Sequence, residues 1–114
     1  MSLIFHATND RYIMIAIGSD NLVQLLGLYD NIAAAFVNDA TVTGSLINPA
    51  TNTNITTFTL TTTNADGNYN GTLTAAVTGA LTNGNPYVIQ ITAVQPGGYT
   101  LVLQEQETAT YKQG

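Results

Sequence analysis

The sequence predicts an all-β protein, an immunoglobulin-like antiparallel β-sandwich of about seven strands with an N-terminal arm. Three observations carry this prediction. Only nine of the 114 residues are charged, whereas nineteen are threonine and twelve are asparagine. Threonine suits a half-exposed pleated surface, and asparagine is favoured in turns. Short segments with alternating apolar residues are separated by turn signals about every 8–12 residues, which is typical of a sandwich.

The first two predicted strands are apolar on both faces, as expected for strands that are covered on both sides. They are Arg11 to Ile17 and Leu22 to Leu28, and the turn 18–21 (GSDN) separates them.

Five further strands are predicted from period-2 alternation, in which every second side chain points to one face of a sheet. They are Ala40 to Ile47, Ile55 to Thr63, Asn68 to Thr74, Tyr87 to Val94 and Tyr99 to Leu103. Their inward positions predict a common core that contains Phe58, Leu60, Tyr69, Ile89, Ile91 and Leu101.

Two segments leave alternatives open. Asn31 to Val37 (NIAAAFV) is either one helical turn or an irregular crossing between sheets. Leu73 to Leu81 (LTAAVTGAL) is either a strand broken at Gly79 or a short helix followed by a loop.

The chain divides into an arm at 1–10, a sandwich at 11–107 and a C-terminal tail at 108–114. The arm carries three adjacent large apolar residues, Leu3, Ile4 and Phe5, followed by His6. Apolar side chains on a free arm would be exposed to water, so the arm either packs on its own sandwich or docks on a neighbouring subunit. Leu3, Ile4, Phe5 and His6 are therefore the candidate partner-docking residues.

Composition excludes several classes of protein. Seven acidic residues against two bases, Arg11 and Lys112, give a net charge of −5, which disfavours nucleic-acid binding. No apolar run approaches the ~18 residues of a membrane span. The N-terminus lacks the basic region of a signal peptide. There is no cysteine for a disulfide or a thiol nucleophile.

Candidate catalytic groups all have a simpler interpretation, so we expect no enzyme and no cofactor. His6 is the only histidine and has no nucleophile motif beside it. The aspartates considered for a pair of catalytic carboxylates stand at turns or strand ends, where aspartate has a backbone role. They are Asp10, Asp20, Asp30, Asp39 and Asp66.

The segment Asp66 to Gly71 (DGNYNG) matches the opening of a calcium loop, D-x-[DN]-x-[DN]-G. The position that should hold a bidentate glutamate is Val77, and the segment lies between two predicted strands. We therefore expect a hairpin turn formed by Asp66 and Gly67, and no metal site.

Two blocks carry a resemblance to a known family. Tyr29-Asp30 followed by Asn38 to Leu46 (NDATVTGSL), and then Asp66 to Leu73 with Gly84 to Ile91, resemble small immunoglobulin-like virion proteins of tailed bacteriophages. The similarity covers roughly residues 22–104. Catalytic residues are not part of it.

The resemblance implies a non-enzymatic virion protein, made in the host cytoplasm and located in the phage particle. We expect a capsid cement or decoration protein of the phage head. Its partners would be the major capsid protein or other virion subunits, together with further copies of itself on the particle, and no nucleic acid or membrane. The alternatives are a head–tail or tail-associated structural protein and, from a different class, a glycan-binding or adhesin module.

Overall fold

The computed structural model describes residues 2–7, 15–30, 32–63 and 66–111, with side chains described from residue 15 onward. Within these ranges the chain forms strands and one short helix, which confirms the all-β prediction. The strands are β1 (Ser2–Ala7), β2 (Ile15–Ile17), β3 (Asn21–Asp30), β4 (Ala35–Phe36), β5 (Thr41–Asn48), β6 (Thr53–Thr62), β7 (Tyr69–Leu73), β8 (Pro86–Val94) and β9 (Thr100–Tyr111), and the helix is α1 (Ala75–Thr78). No helix in the described ranges is long and apolar enough to cross a membrane.

The strands join in the order β1-β3-β7-β6-β5-β8-β9-β2, with β4 paired to β3. Strand β6 links the two halves of this curled sheet, because it pairs with β5 over most of its length and with β7 only at Thr61 and Thr62. The pairing is antiparallel as predicted, except that β2 lies parallel to β9.

The predicted core is largely confirmed. Leu60, Tyr69, Ile89 and Ile91 are buried, and Phe58 and Leu101 are partly buried against them. The side chains that face inward from β2, β3, β5 and β8 complete this cluster. Period-2 alternation therefore assigned the correct face to these strands.

Strands β2 and β3 are close in sequence but do not pair with each other. The Asn21 side chain holds the corner between them: its Oδ1 accepts a hydrogen bond from the Ala16 N–H at 2.9 Å, and its Nδ2 donates to the Ala16 carbonyl at 3.0 Å. Both bonds are buried, so Asn21 satisfies the backbone of β2 where a hairpin partner would otherwise do so. The first part of the predicted strand, residues 11–14, lies outside the described residues.

Strand β9 is much longer than the predicted Tyr99 to Leu103. Its residue Thr108 still pairs with Pro86 of β8, and β2 pairs with Ala109, Thr110 and Tyr111. Ala109 is fully buried. Residues 108–111 therefore belong to the sheet and not to a C-terminal tail, because Thr108 pairs with β8 and residues 109–111 pair with β2. On its other side the Ala109 backbone bonds to Gly84 and Asn85.

Candidate functional site: an apolar tip at one end of the sandwich

The residues that connect β3 to β4 and continue through β4 form a short hairpin whose outer side chains are apolar. Five consecutive residues, Ile32 to Phe36 (IAAAF), are exposed, with Ile32 87% exposed and Phe36 48% exposed. We call this segment the apolar tip. A run of exposed apolar residues is unusual on a folded domain and commonly marks an interaction site. Neither alternative predicted for Asn31 to Val37, a helical turn or a crossing between sheets, describes this hairpin.

Asp30 holds the apolar tip in shape. Its Oδ1 accepts hydrogen bonds from the Ile32 N–H at 2.9 Å and from the Ala33 N–H at 3.2 Å. Its Oδ2 accepts from the Gln95 side chain at 3.3 Å. These donors, the Ala33 and Ile32 amides first, lower the pKa of Asp30 because they stabilise the carboxylate. The tip is thus a preformed turn. Within it, Ala34 has a left-handed backbone conformation, with φ 55°.

The base of the apolar tip rests on β7. The Tyr69 hydroxyl donates to the Val37 carbonyl at 2.6 Å and accepts from the Ala40 N–H at 3.1 Å. Burial of the ring raises the pKa of Tyr69. Phe36 also packs edge-on against Tyr29, with ring centroids 5.3 Å apart. These contacts fix where the tip leaves the sandwich.

Two other loops lie at the same end of the molecule. The turn before β7 is joined to the segment after the tip by the Gly67 N–H, which donates to the Asn38 side chain at 2.8 Å. The loop between β8 and β9 is joined to Asp30 through Gln95, and it exposes 62% of Tyr99. An immunoglobulin-like sandwich places its binding loops together at one end in this way.

Charge at this end is acidic. Asp39 and Asp66, two of the described acidic residues, are exposed there. The end therefore presents an apolar projection with carboxylates beside it.

The predicted partner-docking residues lie in a different place. Leu3, Ile4, Phe5 and His6 belong to β1, which pairs with β3 in the registers Ile4 to Leu26 and His6 to Gln24. Their backbone is thus part of the sheet of their own chain and does not form a separate arm. Docking of these side chains on a partner stays a prediction.

The turn at Asp66 and Gly67 has the geometry of a hairpin corner, with φ 56° and 66°. A Cβ on Gly67 would lie 2.7 Å from the backbone nitrogen of Leu28, so only glycine fits there. The side chains of Asn68 and Asn70 are half-buried and bonded within the fold. The Asn68 Oδ1 accepts from the Gly27 N–H at 3.0 Å, and the Asn70 Oδ1 accepts from the Gln24 side chain at 3.2 Å. Both oxygens therefore already have partners within the fold.

The carboxylates that the structure brings together are two glutamates that the sequence reasoning did not consider. Glu105 and Glu107, the acid pair, both face inward from β9, and Glu107 is 1% exposed. The Glu107 oxygens and Glu105 Oε2 have no hydrogen-bond partner among the described residues. Burial first, and then the neighbouring Glu105 carboxylate, raises the pKa of Glu107 to about 8.

A signal for the acid pair was present in the sequence. The inward positions Leu101 and Leu103 continue with the same period to Glu105, Glu107 and Ala109. With 1% of its surface exposed, Glu107 cannot reach a substrate in solution. No group of three or more His, Cys, Asp or Glu side chains that could hold a metal ion occurs in the part of the chain that the structure describes.

Comparison with known proteins supports the fold. The sequence matches no protein-family model and no curated protein. Among solved structures, the chain is similar to CopC from Methylosinus trichosporium OB3b, with a TM-score of 0.50 and 13% identity. The match covers 97% of this chain and 98% of CopC. At this identity the likeness shows a shared β-sandwich fold and transfers no residue's role.

This comparison corrects the function predicted from the resemblance to phage proteins. The structure matched over nearly its whole length is CopC, and nothing in the three comparisons indicates a virion protein. The predicted role as a capsid cement or decoration protein is therefore wrong. The physical reason is that Asp-Gly turns and Thr-rich alternating strands are common to β-sandwiches in general, so they indicate a fold and not a place in a particle.

Proposed function

We propose that this protein is a non-catalytic binding module that inserts its apolar tip into an apolar pocket on another protein. The observation that carries the proposal is the exposure of five consecutive apolar residues, Ile32 to Phe36, on a turn that is already ordered. Burying one large apolar side chain contributes about 1.5–3 kcal/mol, so Ile32 and Phe36 together could supply most of the affinity of a moderate interface.

The order of the tip favours binding as well. Asp30 fixes the Ile32 and Ala33 amides, and Tyr69 fixes Val37, so little conformational entropy remains to be lost on association. The exposed carboxylates of Asp39 and Asp66 lie at the same end. We expect the partner to surround its apolar pocket with basic side chains, which these two carboxylates would attract.

The first experiment locates the contact. A photo-crosslinking amino acid is placed at Ile32 in the protein, which is expressed in the cells that produce it. In a matched control the same amino acid is placed at Ala50. Ala50 is exposed in the turn between β5 and β6, at the opposite end of the sandwich. We expect a discrete cross-linked protein with the Ile32 probe and none with the Ala50 probe.

The second experiment measures affinity with the cross-linked protein after purification. Isothermal titration calorimetry should show at least tenfold weaker binding for Ile32→Asp and a change of less than twofold for Ala50→Asp. Equal cross-linking from both positions, no cross-linking from Ile32, or unchanged affinity of Ile32→Asp would each overturn the proposal.

A further inference from the structure

A second site is suggested at the opposite end of the sandwich, where β6 separates from β7. Strand β6 pairs with β7 only at Thr61 with Asn70 and Thr62 with Tyr69. Residues 53–60 of β6 pair with β5 on one side, and residues 71–73 of β7 pair with β3. Among the described residues, no strand lies between the two edges that face each other.

Gly71 marks the point of separation. A Cβ on Gly71 would lie 2.9 Å from the Thr59 carbonyl oxygen and 3.0 Å from the Leu60 side chain, so the two strands touch closely there. Beyond Gly71 the edges diverge into an opening that we call the β6/β7 cleft. Helix α1 lies beside the opening, and its Val77 contributes to the lining. Two bonds hold α1 to the corner between β2 and β3: the Ala75 N–H donates to Asp20 at 2.7 Å, and the Thr78 hydroxyl donates to the Ser19 carbonyl at 2.7 Å.

The β6/β7 cleft contains a cavity of about 160 Å³. The residues that line it are Thr56, Thr57, Phe58, Thr72, Leu73, Thr74 and Val77. A closed cavity of about 150 Å³ in another protein holds benzene. The pocket in the cleft is open to solvent on one side, and its volume gives room for one large apolar side chain that enters from the surface. The Phe58 ring lies over Gly44, where a Cβ would clash with it, so the apolar part of the lining has a fixed position.

The lining and the strand edges also restrict which ligand the cleft can bind. All seven lining residues are uncharged although the protein carries a net charge of −5, so the cavity offers nothing to pair with a charged side chain. The diverging strand edges present backbone N–H and C=O groups, which an extended peptide can pair with as an added strand. A compact hydrocarbon would fill the pocket but make no use of those backbone groups.

We propose that the β6/β7 cleft binds an extended, uncharged segment of another protein by strand addition, with one apolar side chain in the cavity. This site is separate from the apolar tip and does not depend on its function. The tip offers side chains to a pocket on a partner, whereas the cleft offers a pocket and strand edges to a partner's chain.

The test uses a synthetic peptide of defined sequence, acetyl-Thr-Val-Leu-Val-Thr-amide, and the ¹⁵N-labelled full-length protein. We expect saturable changes in the amide NMR signals of residues 56–58 and 71–74. A peptide N-methylated at the leucine and at both valines lacks the three central backbone donors of a strand, so we expect it to bind at least tenfold more weakly.

A pair of variants tests the location of the site. Thr57→Trp places an indole at the cavity and should weaken peptide binding at least tenfold. Thr59→Trp is the matched control, because Thr59 is the next exposed threonine on β6 and does not line the cavity. Should Thr57→Trp fail to fold, the N-methylated peptide still decides the question.

Three outcomes would overturn the proposal. They are the absence of saturable signal changes in the cleft, equal binding of the N-methylated peptide, and signal changes confined to the apolar tip. Equal binding of the N-methylated peptide would mean that the cavity takes a small apolar group without strand addition.

Discussion

The apolar tip and the C-terminal half of β9 depart from the usual placement of side chains in opposite directions. The tip exposes Ile32 to Phe36 to solvent, whereas β9 buries the carboxylate of Glu107. An exposed apolar side chain has nearly the same surroundings in the folded and unfolded chain, so its effect on folding is small. A buried carboxyl group loses its hydration on folding and keeps a proton that the unfolded chain would lose, so it opposes folding at neutral pH. Substitutions in the tip should therefore change stability little, whereas substitutions in the acid pair should change the free energy of unfolding.

The sharpest test of how burial affects stability is to truncate isoleucine to alanine once in the buried core and once in the exposed tip. Ile91→Ala in the core should lower the free energy of unfolding by about 2–4 kcal/mol, because Ile91 is fully buried and a cavity would remain. Urea denaturation measures this change. A near-neutral result would show that the inward face of β8 had been assigned wrongly.

Removal of the Tyr69 hydroxyl, at the base of the tip, should have the next largest effect on the free energy of unfolding. Tyr69→Phe leaves the buried Val37 carbonyl and the Ala40 N–H without their partner, so we expect a loss of about 1–3 kcal/mol. Urea denaturation again gives the value. Amide hydrogen exchange should also accelerate between residues 32 and 40, and unchanged exchange there would mean that Tyr69 does not anchor the tip.

The acid pair predicts a dependence of stability on pH. Between its ordinary pKa of 4.5 and the raised value of about 8, Glu107 keeps its proton in the folded chain but loses it in the unfolded chain. The folded state binds more protons in this interval, so stability should fall as the pH rises from about 4.5 to about 8 and then level off.

The variant Glu107→Gln should flatten this part of the stability curve and raise the melting temperature more at pH 8 than at pH 5. Gln106→Ala, on the exposed face of the same strand, is the control and should leave the slope unchanged. The same slope in Glu107→Gln and the unmodified protein would assign the pH dependence to another group.

The smallest expected effect is that of Ile32→Ala on stability. Ile32 is 87% exposed, so its truncation should change the free energy of unfolding by less than about 0.5 kcal/mol. Together with Ile91→Ala, this measurement completes the comparison between buried and exposed isoleucine. A loss above 1 kcal/mol would mean that Ile32 packs within its own chain and is not available to a partner.

The sequence predicted the strands well where the pattern is local. Leu60, Ile89 and Ile91 sit on inward positions of alternating segments, and the alternation alone assigned them to the core. Of the two readings of Leu73 to Leu81, the short helix followed by a loop is correct, since α1 spans Ala75–Thr78.

The sequence failed where the outcome depends on distant parts of the chain. Ile32 and Phe36 are apolar, and no local pattern says that the rest of the molecule leaves them uncovered. Glu107 is not expected in the interior from sequence alone, because acidic residues are rarely buried even where an inward period reaches them. The parallel pairing of Ile15 with Ala109 joins residues almost a whole chain apart.

That last pairing also sets an order of events in folding. Strand β2 is synthesised long before its partner residues in β9, Ala109 to Tyr111, because most of the described chain lies between them. Contacts between distant residues form slowly because a long loop must close first. Strand β2 therefore has no strand partner until β9 has been synthesised, and until then its backbone groups are free to pair with another chain.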